Sequence, residues 1–173
     1  MNPASLIRPD ALAELMETAR AAPAGDLVEV GVYQGGSALA LAEVAREQGR
    51  RLFLFDTFTG IPYAGWHDRH VPGDFADTSL EAVTALIPWA EVVPGVFPTT
   101  LHEGVGTIAL AHVDCDQYES VRACCEALAP RMAPGGVMVF DDYDVLPGAR
   151  LAVDECYNGR VEISRQGKAR VRF

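Results

Sequence analysis

The stretch DLVEVGVYQGGS, from Asp26 to Ser37, decides the fold. The apolar run Leu27–Val32 enters a glycine-bearing turn, and Ser37–Glu47, rich in Ala and Leu, carries a helical pattern. A strand, a glycine turn and a helix start together form a place where a ligand can approach backbone closely. The spacing is GxxxGG, with an acid, Glu29, two residues before the first glycine. It is neither the GxGxxG of a dinucleotide fingerprint nor a P-loop, because no Gly-Lys-Ser/Thr follows. Read alone, the turn equally suits a tight strand-to-helix corner that merely needs glycine.

Outward from this unit the same alternation recurs: a short apolar run, a turn, a helical pattern. Residues 10–22 read as a helix with Leu12, Leu15, Met16 and Ala19 on one face, and Pro23 and Gly25 end it. Arg51–Phe55 is a second strand ending at Asp56. The stretch Thr57–Asp74 has no period, and helical pattern returns over Ser79–Trp89. Glu91–Val96 and Thr107–Val113 read as the third and fourth strands, and Gln117–Met132 as a helix. Val137–Phe140 is a fifth strand, and Pro147–Tyr157 a short helix with proline in its first turn. In the tail, a loop at Arg165–Gly167 pairs Ile163 with Ala169 and Val161 with Val171. The reading is an α/β protein: five parallel strands, then an antiparallel hairpin, with helices on both faces. No linker or repeat divides the chain, so a single domain over 1–173 is expected.

The chain has 173 residues, 49% of them hydrophobic and 22% charged, which suits a packed core rather than disorder. Acids outnumber bases 24 to 14, for a net charge of −10, and Lys168 is the only lysine. That balance argues against nucleic acid or an anionic membrane as partner, since both need excess positive charge. No apolar run approaches a membrane span or a signal peptide. The four cysteines lack zinc-site spacing and read as reduced thiols of a cytoplasmic protein.

Among the acids, some placements stand out. Asp56 ends the second strand about 20 residues past Gly36, where an acid can accept hydrogen bonds from ribose hydroxyls. Asp114 and Asp116 follow the fourth strand, and Asp141 and Asp142 the fifth. If these strands are parallel neighbours, their carboxyl ends lie about 5 Å apart. Carboxylates so crowded repel, and the flanking segments offer no lysine or arginine as partner. A hard divalent cation such as Mg²⁺ resolves the conflict. The plainer reading is solvated loop acids and helix caps, which fits Asp116 best. Asp116, His67 and His70 are candidate bases, His112 reads as structural, and Tyr63, Trp66 and Phe75 as pocket wall or satellite core. Tyr118 and Tyr143 flank the acids and could contact a ligand.

EVGVYQGGS (29–37), FDTFTGIP (55–62), GDF (73–75), HVDCDQYESV (112–121) and GGVMVFDDYDVLPGARLAVDE (135–155) together resemble S-adenosylmethionine-dependent O-methyltransferases of the macrocin type, which act on macrolide sugars. The resemblance implies a Rossmann-like seven-stranded sheet with an antiparallel seventh strand. It implies S-adenosylmethionine bound by Glu29 and Gly31 at the methionine end, by Gly35, Gly36 and Ser37 in the loop, and by Asp56 at the ribose. Thr57 and Phe58 would flank the ribose, and Gly95 to Thr99, Phe97 among them, would border the adenine. It assigns Mg²⁺ to Asp114, Asp141 and Asp142, where the metal would lower the pKa of an acceptor hydroxyl, with Asp116 or His70 near the reacting oxygen. The acceptor is then a hydroxylated small molecule. Few residues precede the first strand, so the site is expected to be open to a large acceptor or walled by a second copy in a homodimer. Two other readings remain: a glycosyltransferase using Asp114-x-Asp116, and a non-catalytic cofactor-binding protein.

Overall fold

The computed structural model describes residues 5–173. The elements run α1 (Pro9–Ala21), β1 (Asp26–Val30), α2 (Gly36–Gln48), β2 (Leu52–Asp56), α3 (Leu80–Leu86), β3 (Glu91–Pro94), β4 (Ile108–Val113), α4 (Tyr118–Leu128), β5 (Met132–Phe140), α5 (Pro147–Tyr157), β6 (Glu162–Ile163) and β7 (Ala169–Arg172). They build a seven-stranded sheet in the order β3-β2-β1-β4-β5-β7-β6. β1 to β5 pair in parallel, and β7 runs antiparallel to both β5 and β6.

Strand periodicity divides the core in two. Val28, Val30, Phe53 and Phe55 face α4 and α5. Leu27, Leu52 and Leu54 face α1, α2 and α3. β1, β2, β4 and the second half of β5 bury both of their faces, which explains the near-continuous apolar runs in the sequence. The chain reverses direction across the sheet between β1 and β4, so the turns leaving these neighbours diverge and open a crevice at their carboxyl ends.

Three boundaries differ from expectation. α4 stops at Leu128 rather than at Met132, because Pro130 opens a 3-10 turn there. β5 consequently begins at Met132 and absorbs Pro134 and Gly135 at a register shift opposite Ile108 and Leu110. α3 is seven residues long, held at its start by the Ser79 hydroxyl accepting from Ala82 N at 3.2 Å. The hairpin takes the expected register, with Ile163 opposite Ala169. Ala169 and Val171 are buried, but Ile163 is exposed, because β6 is a two-residue edge strand with no layer above it. Among the described residues no helix is long and apolar enough to cross a membrane, and all four cysteines are free thiols.

Candidate functional site

The crevice is a cavity of about 490 Å³. On one side stand Gly31 and Tyr33 after β1, Asp56 and Thr57 after β2, and Gly95 and Phe97 after β3. On the other stand Asp114 and Asp116 after β4, Asp141 and Asp142 after β5, and Lys168 from the hairpin. His70 and Phe75 reach in from the irregular loop, and Leu6, Ile7 and Arg8 from the segment before α1.

Backbone geometry shows why the sequence is glycine-rich here. Gly31 has φ +91°, and a Cβ on it would collide with the carbonyl oxygen of Asp114. The β1 turn and the start of the aspartate loop are thus packed backbone to backbone. Gly36 serves a different contact, since its Cβ would meet Ser5 Cα at 2.6 Å. Among the described residues, the four non-glycine residues with positive φ, namely Tyr33, Phe58, Phe75 and Asp116, lie on the loops around the crevice. Such conformations cost energy and concentrate at ligand sites.

Asp56 ties two of these loops together. Its Oδ2 accepts from Val32 N at 2.6 Å and Tyr33 N at 2.9 Å, and its Oδ1 accepts from Phe58 N at 2.8 Å. Gly31, Asp56, Thr57, Gly95, Phe97, His70 and the four aspartates therefore converge as expected. Glu29, Gly35, Gly36, Ser37 and Phe58 do not line the cavity. Glu29 is fully buried behind the cavity wall on the α1 face, with Oε1 2.8 Å from His112 Nδ1 and Oε2 without a hydrogen-bond partner. Burial works against a charged His112, but the hydrogen bond and charge of Glu29 outweigh it and raise the imidazole above its usual value. Gly35 and Gly36 form the start of α2, with Gly35 in the left-handed region at φ +88°.

The aspartates form the electrostatic centre. Asp114, Asp141 and Asp142 each offer an oxygen, and these oxygens all lie within 4.8 Å of one another. Burial and the charges of Asp142 and Asp141 push Asp114 well above the carboxylate range. The same causes raise Asp116 to about 8, and burial with Asp141 raises Asp142 to about 6. Asp142 Oδ2 is buried and accepts no hydrogen bond. An orphaned anionic oxygen among mutually repelling carboxylates is what an oxygen-ligated divalent cation satisfies, so the residues fit Mg²⁺. They also fit S-adenosylmethionine, whose sulfonium and amino group suit an acidic cavity.

Several placements were not foreseen. A partner cation does exist: Lys168 Nζ lies 3.2 Å from Asp141 Oδ2 and donates to Asp141 O at 2.6 Å. It was hidden because it comes from the hairpin, distant in sequence from the acids. Asp116 does not cap α4; Asp68 does, with its Oδ1 accepting from Tyr118 N at 2.8 Å and its Oδ2 from Gly65 N at 2.7 Å. Tyr118 and Tyr143 do not line the cavity and donate to Glu155 and Asp154 instead. His70 sits with Nε2 3.8 Å from Asp116 Oδ1, whereas His67 does not line the cavity. Phe75 is pocket wall, Trp66 is fully exposed, and the Tyr63 hydroxyl accepts from Ser120 Oγ at 3.2 Å.

A profile described as a methyltransferase domain matches residues 28–143, from β1 to just past Asp142. The chain belongs to the methyltransferase domain family. The turn, Asp56 and both aspartate pairs fall inside the matched span, and the fold is Rossmann-like. The methyltransferase chain is 35% identical over 159 residues to the 8-demethyl-8-(2,3-dimethoxy-alpha-L-rhamnosyl)-tetracenomycin-C 4'-O-methyltransferase of Streptomyces olivaceus. It is 31% identical to the demethyldecarbamoylnovobiocin O-methyltransferase of Streptomyces niveus. Each match takes in 81% of this chain and 60% of the relative, so the chain spans about 60% of the length of these curated relatives. Among solved structures, the O-methyltransferase NovP superposes with TM-score 0.83 at 25% identity, covering 99% of this chain and 82% of that one. The calicheamicin methyltransferase CalS11 gives 0.78 at 25%, covering 94% and 77%.

Proposed function

We propose that this methyltransferase chain moves a methyl group from S-adenosylmethionine to a hydroxyl oxygen of a sugar carried by a small natural product, with Mg²⁺ held by Asp114, Asp141 and Asp142. One observation carries the reading: a single cavity joins the glycine turn and Asp56 on one wall to the aspartate cluster on the other. The named activities of the relatives, O-methylation of a rhamnosyl-tetracenomycin and of demethyldecarbamoylnovobiocin, point the same way.

S-adenosylmethionine supplies an electrophilic methyl, and Mg²⁺ supplies a Lewis acid for the acceptor oxygen. The chain's own residues do the rest. Gly31 lets the β1 turn pack against the Asp114 backbone so that both loops face the methionine end, and Asp56 with Thr57 holds the ribose. Gly95 and Phe97 border the adenine. With the cofactor bound, the acceptor oxygen would take its methyl group, the carbon–sulfur bonding pair staying with sulfur. Asp116, beside the ligand set and held at φ +63°, takes the hydroxyl proton, and His70 sits behind it. No group on the protein becomes covalently modified, so alignment of the two substrates contributes most of the rate. Leu6, Val96 and Val145 line the cavity yet expose large apolar surface, which suits the apolar body of a glycosylated acceptor.

The test is methyl transfer from methyl-labelled S-adenosylmethionine to a panel of glycosylated small molecules, a rhamnosyl-tetracenomycin and demethyldecarbamoylnovobiocin among them, with and without chelator. Labelled product that chelator abolishes supports the proposal. S-adenosylhomocysteine binding without turnover on any acceptor favours a non-catalytic binding protein.

A further inference from the structure

Lys168 is the only lysine of the chain, and it stands where the aspartates are most crowded. Its ammonium donates to Asp141 O at 2.6 Å and is ion-paired with Asp141 Oδ2 at 3.2 Å and Asp144 Oδ1 at 3.6 Å. Among the described residues it is the only lysine or arginine paired with any of Asp114, Asp116, Asp141 and Asp142; the remaining ion pair to this group is His70 with Asp116. The side chain is 17% exposed, so its charge is poorly screened. The hairpin holds it there from both sides, with Lys168 N donating to Ser164 Oγ at 3.1 Å and Ser164 N donating to Lys168 O at 2.8 Å. Behind it, Glu14 clamps the same hairpin to α1 by accepting from Ser164 Oγ at 2.8 Å and from Arg165 N and Gln166 N at 3.1 Å each.

We propose that Lys168 is a resident counter-cation of the metal cluster: it neutralises Asp141 in the metal-free protein and, by like-charge repulsion, keeps the bound divalent cation weakly held and exchangeable. The proposal rests on the Mg²⁺ reading above. One unit charge fixed on a ligand carboxylate opposes a divalent ion. Even under bulk-water screening, at a few ångströms that repulsion weakens binding on the order of tenfold. The lysine leaves Asp141 Oδ1 and both oxygens of Asp114 and Asp142 for the cation. Its second contact, to the Asp141 carbonyl, orients the residue without using a carboxylate oxygen. Lys168 is thus a positioning residue that tunes the metal rather than a catalytic one.

The test is calorimetric titration of the full chain with MgCl₂, using wild type, Lys168→Arg, Lys168→Met and Lys168→Gln. The glutamine variant keeps a donor for Asp141 O should the methionine variant fail to fold. The proposal expects the neutral variants to bind Mg²⁺ about tenfold more tightly than wild type and the arginine variant to match wild type. It also expects the neutral variants to melt at lower temperature without Mg²⁺ and to gain more from its addition. Equal or weaker Mg²⁺ binding by the neutral variants overturns this role for Lys168 while leaving the metal site intact. Absence of Mg²⁺ binding in wild type and variants alike removes the metal reading, and this role with it.

Discussion

Asp26 and Asp142 sit at opposite ends of one sheet, and the fold treats them oppositely. Asp26, entering β1, takes a bidentate pair from Arg51, with Nη2–Oδ2 at 2.7 Å and Nε–Oδ1 at 2.9 Å, and a third bond from Gly106 N at 2.8 Å. Asp142, just past β5, keeps a buried oxygen with no partner and stands beside two further carboxylates. An acid whose job is architecture is satisfied by the chain itself. An acid left unsatisfied among like charges is held in place for something that binds.

The largest effect expected from breaking this contrast is at the ligand end. Asp142→Asn should lower methyl transfer by more than about 100-fold, because a lost Lewis-acid contribution is worth several kcal/mol. Melting temperature should not fall, since a repelled, desolvated charge has been removed. Steady-state kinetics and calorimetry on the same preparation check both halves. At the architectural end the pattern inverts. Asp26→Asn should cost about 1.5–3 kcal/mol by denaturant unfolding, the usual worth of hydrogen bonds to a charged group, with activity per folded molecule unchanged.

The acids also divide by the sign of their pH dependence. Glu14 resists ionisation through burial, but hydrogen bonds from Ser164 and Arg165 outweigh this and hold it below its ordinary value. Its stabilising contribution is therefore present above pH 4.5 and lost as pH falls below it. Asp142 and Asp116, raised to about 6 and about 8, act the other way. The folded protein keeps protons there that the unfolded chain has released, so metal-free stability falls as pH rises from about 4 toward 8. Thermal melts across that range without Mg²⁺ should decline on the alkaline side, and Asp142→Asn should flatten the decline. The smallest expected effect lies at Gly36. In Gly36→Ala the new methyl meets Ser5, shifts the segment carrying Leu6 to Arg8, and weakens S-adenosylhomocysteine binding a few-fold with little change in melting.

Much of this was legible in the chain. The α/β alternation, the β6–β7 register and the meeting of Asp114 with Asp141 and Asp142 follow from periodicity and from acids at strand ends, which are local signals. What escaped was set by distant packing. The resemblance places Glu29 at the methionine end, and strand alternation turns its side chain toward His112 on the buried α1 face. Asp68 caps α4 from 50 residues away, so no local motif announces it. Lys168 answers Asp141 across the hairpin. The helix expected to run to Met132 ends at Leu128 instead, and a register shift lets β5 take in Pro134.

The central claim is that one cavity binds S-adenosylmethionine on one wall and a divalent cation on the other. The most direct test is sequential calorimetric titration with S-adenosylhomocysteine and then MgCl₂, on wild type and Asp142→Asn. Wild type should bind both, and Asp142→Asn should keep the nucleoside and lose the cation. Failure of folded wild type to bind S-adenosylhomocysteine, or unchanged Mg²⁺ binding in Asp142→Asn, would contradict that claim.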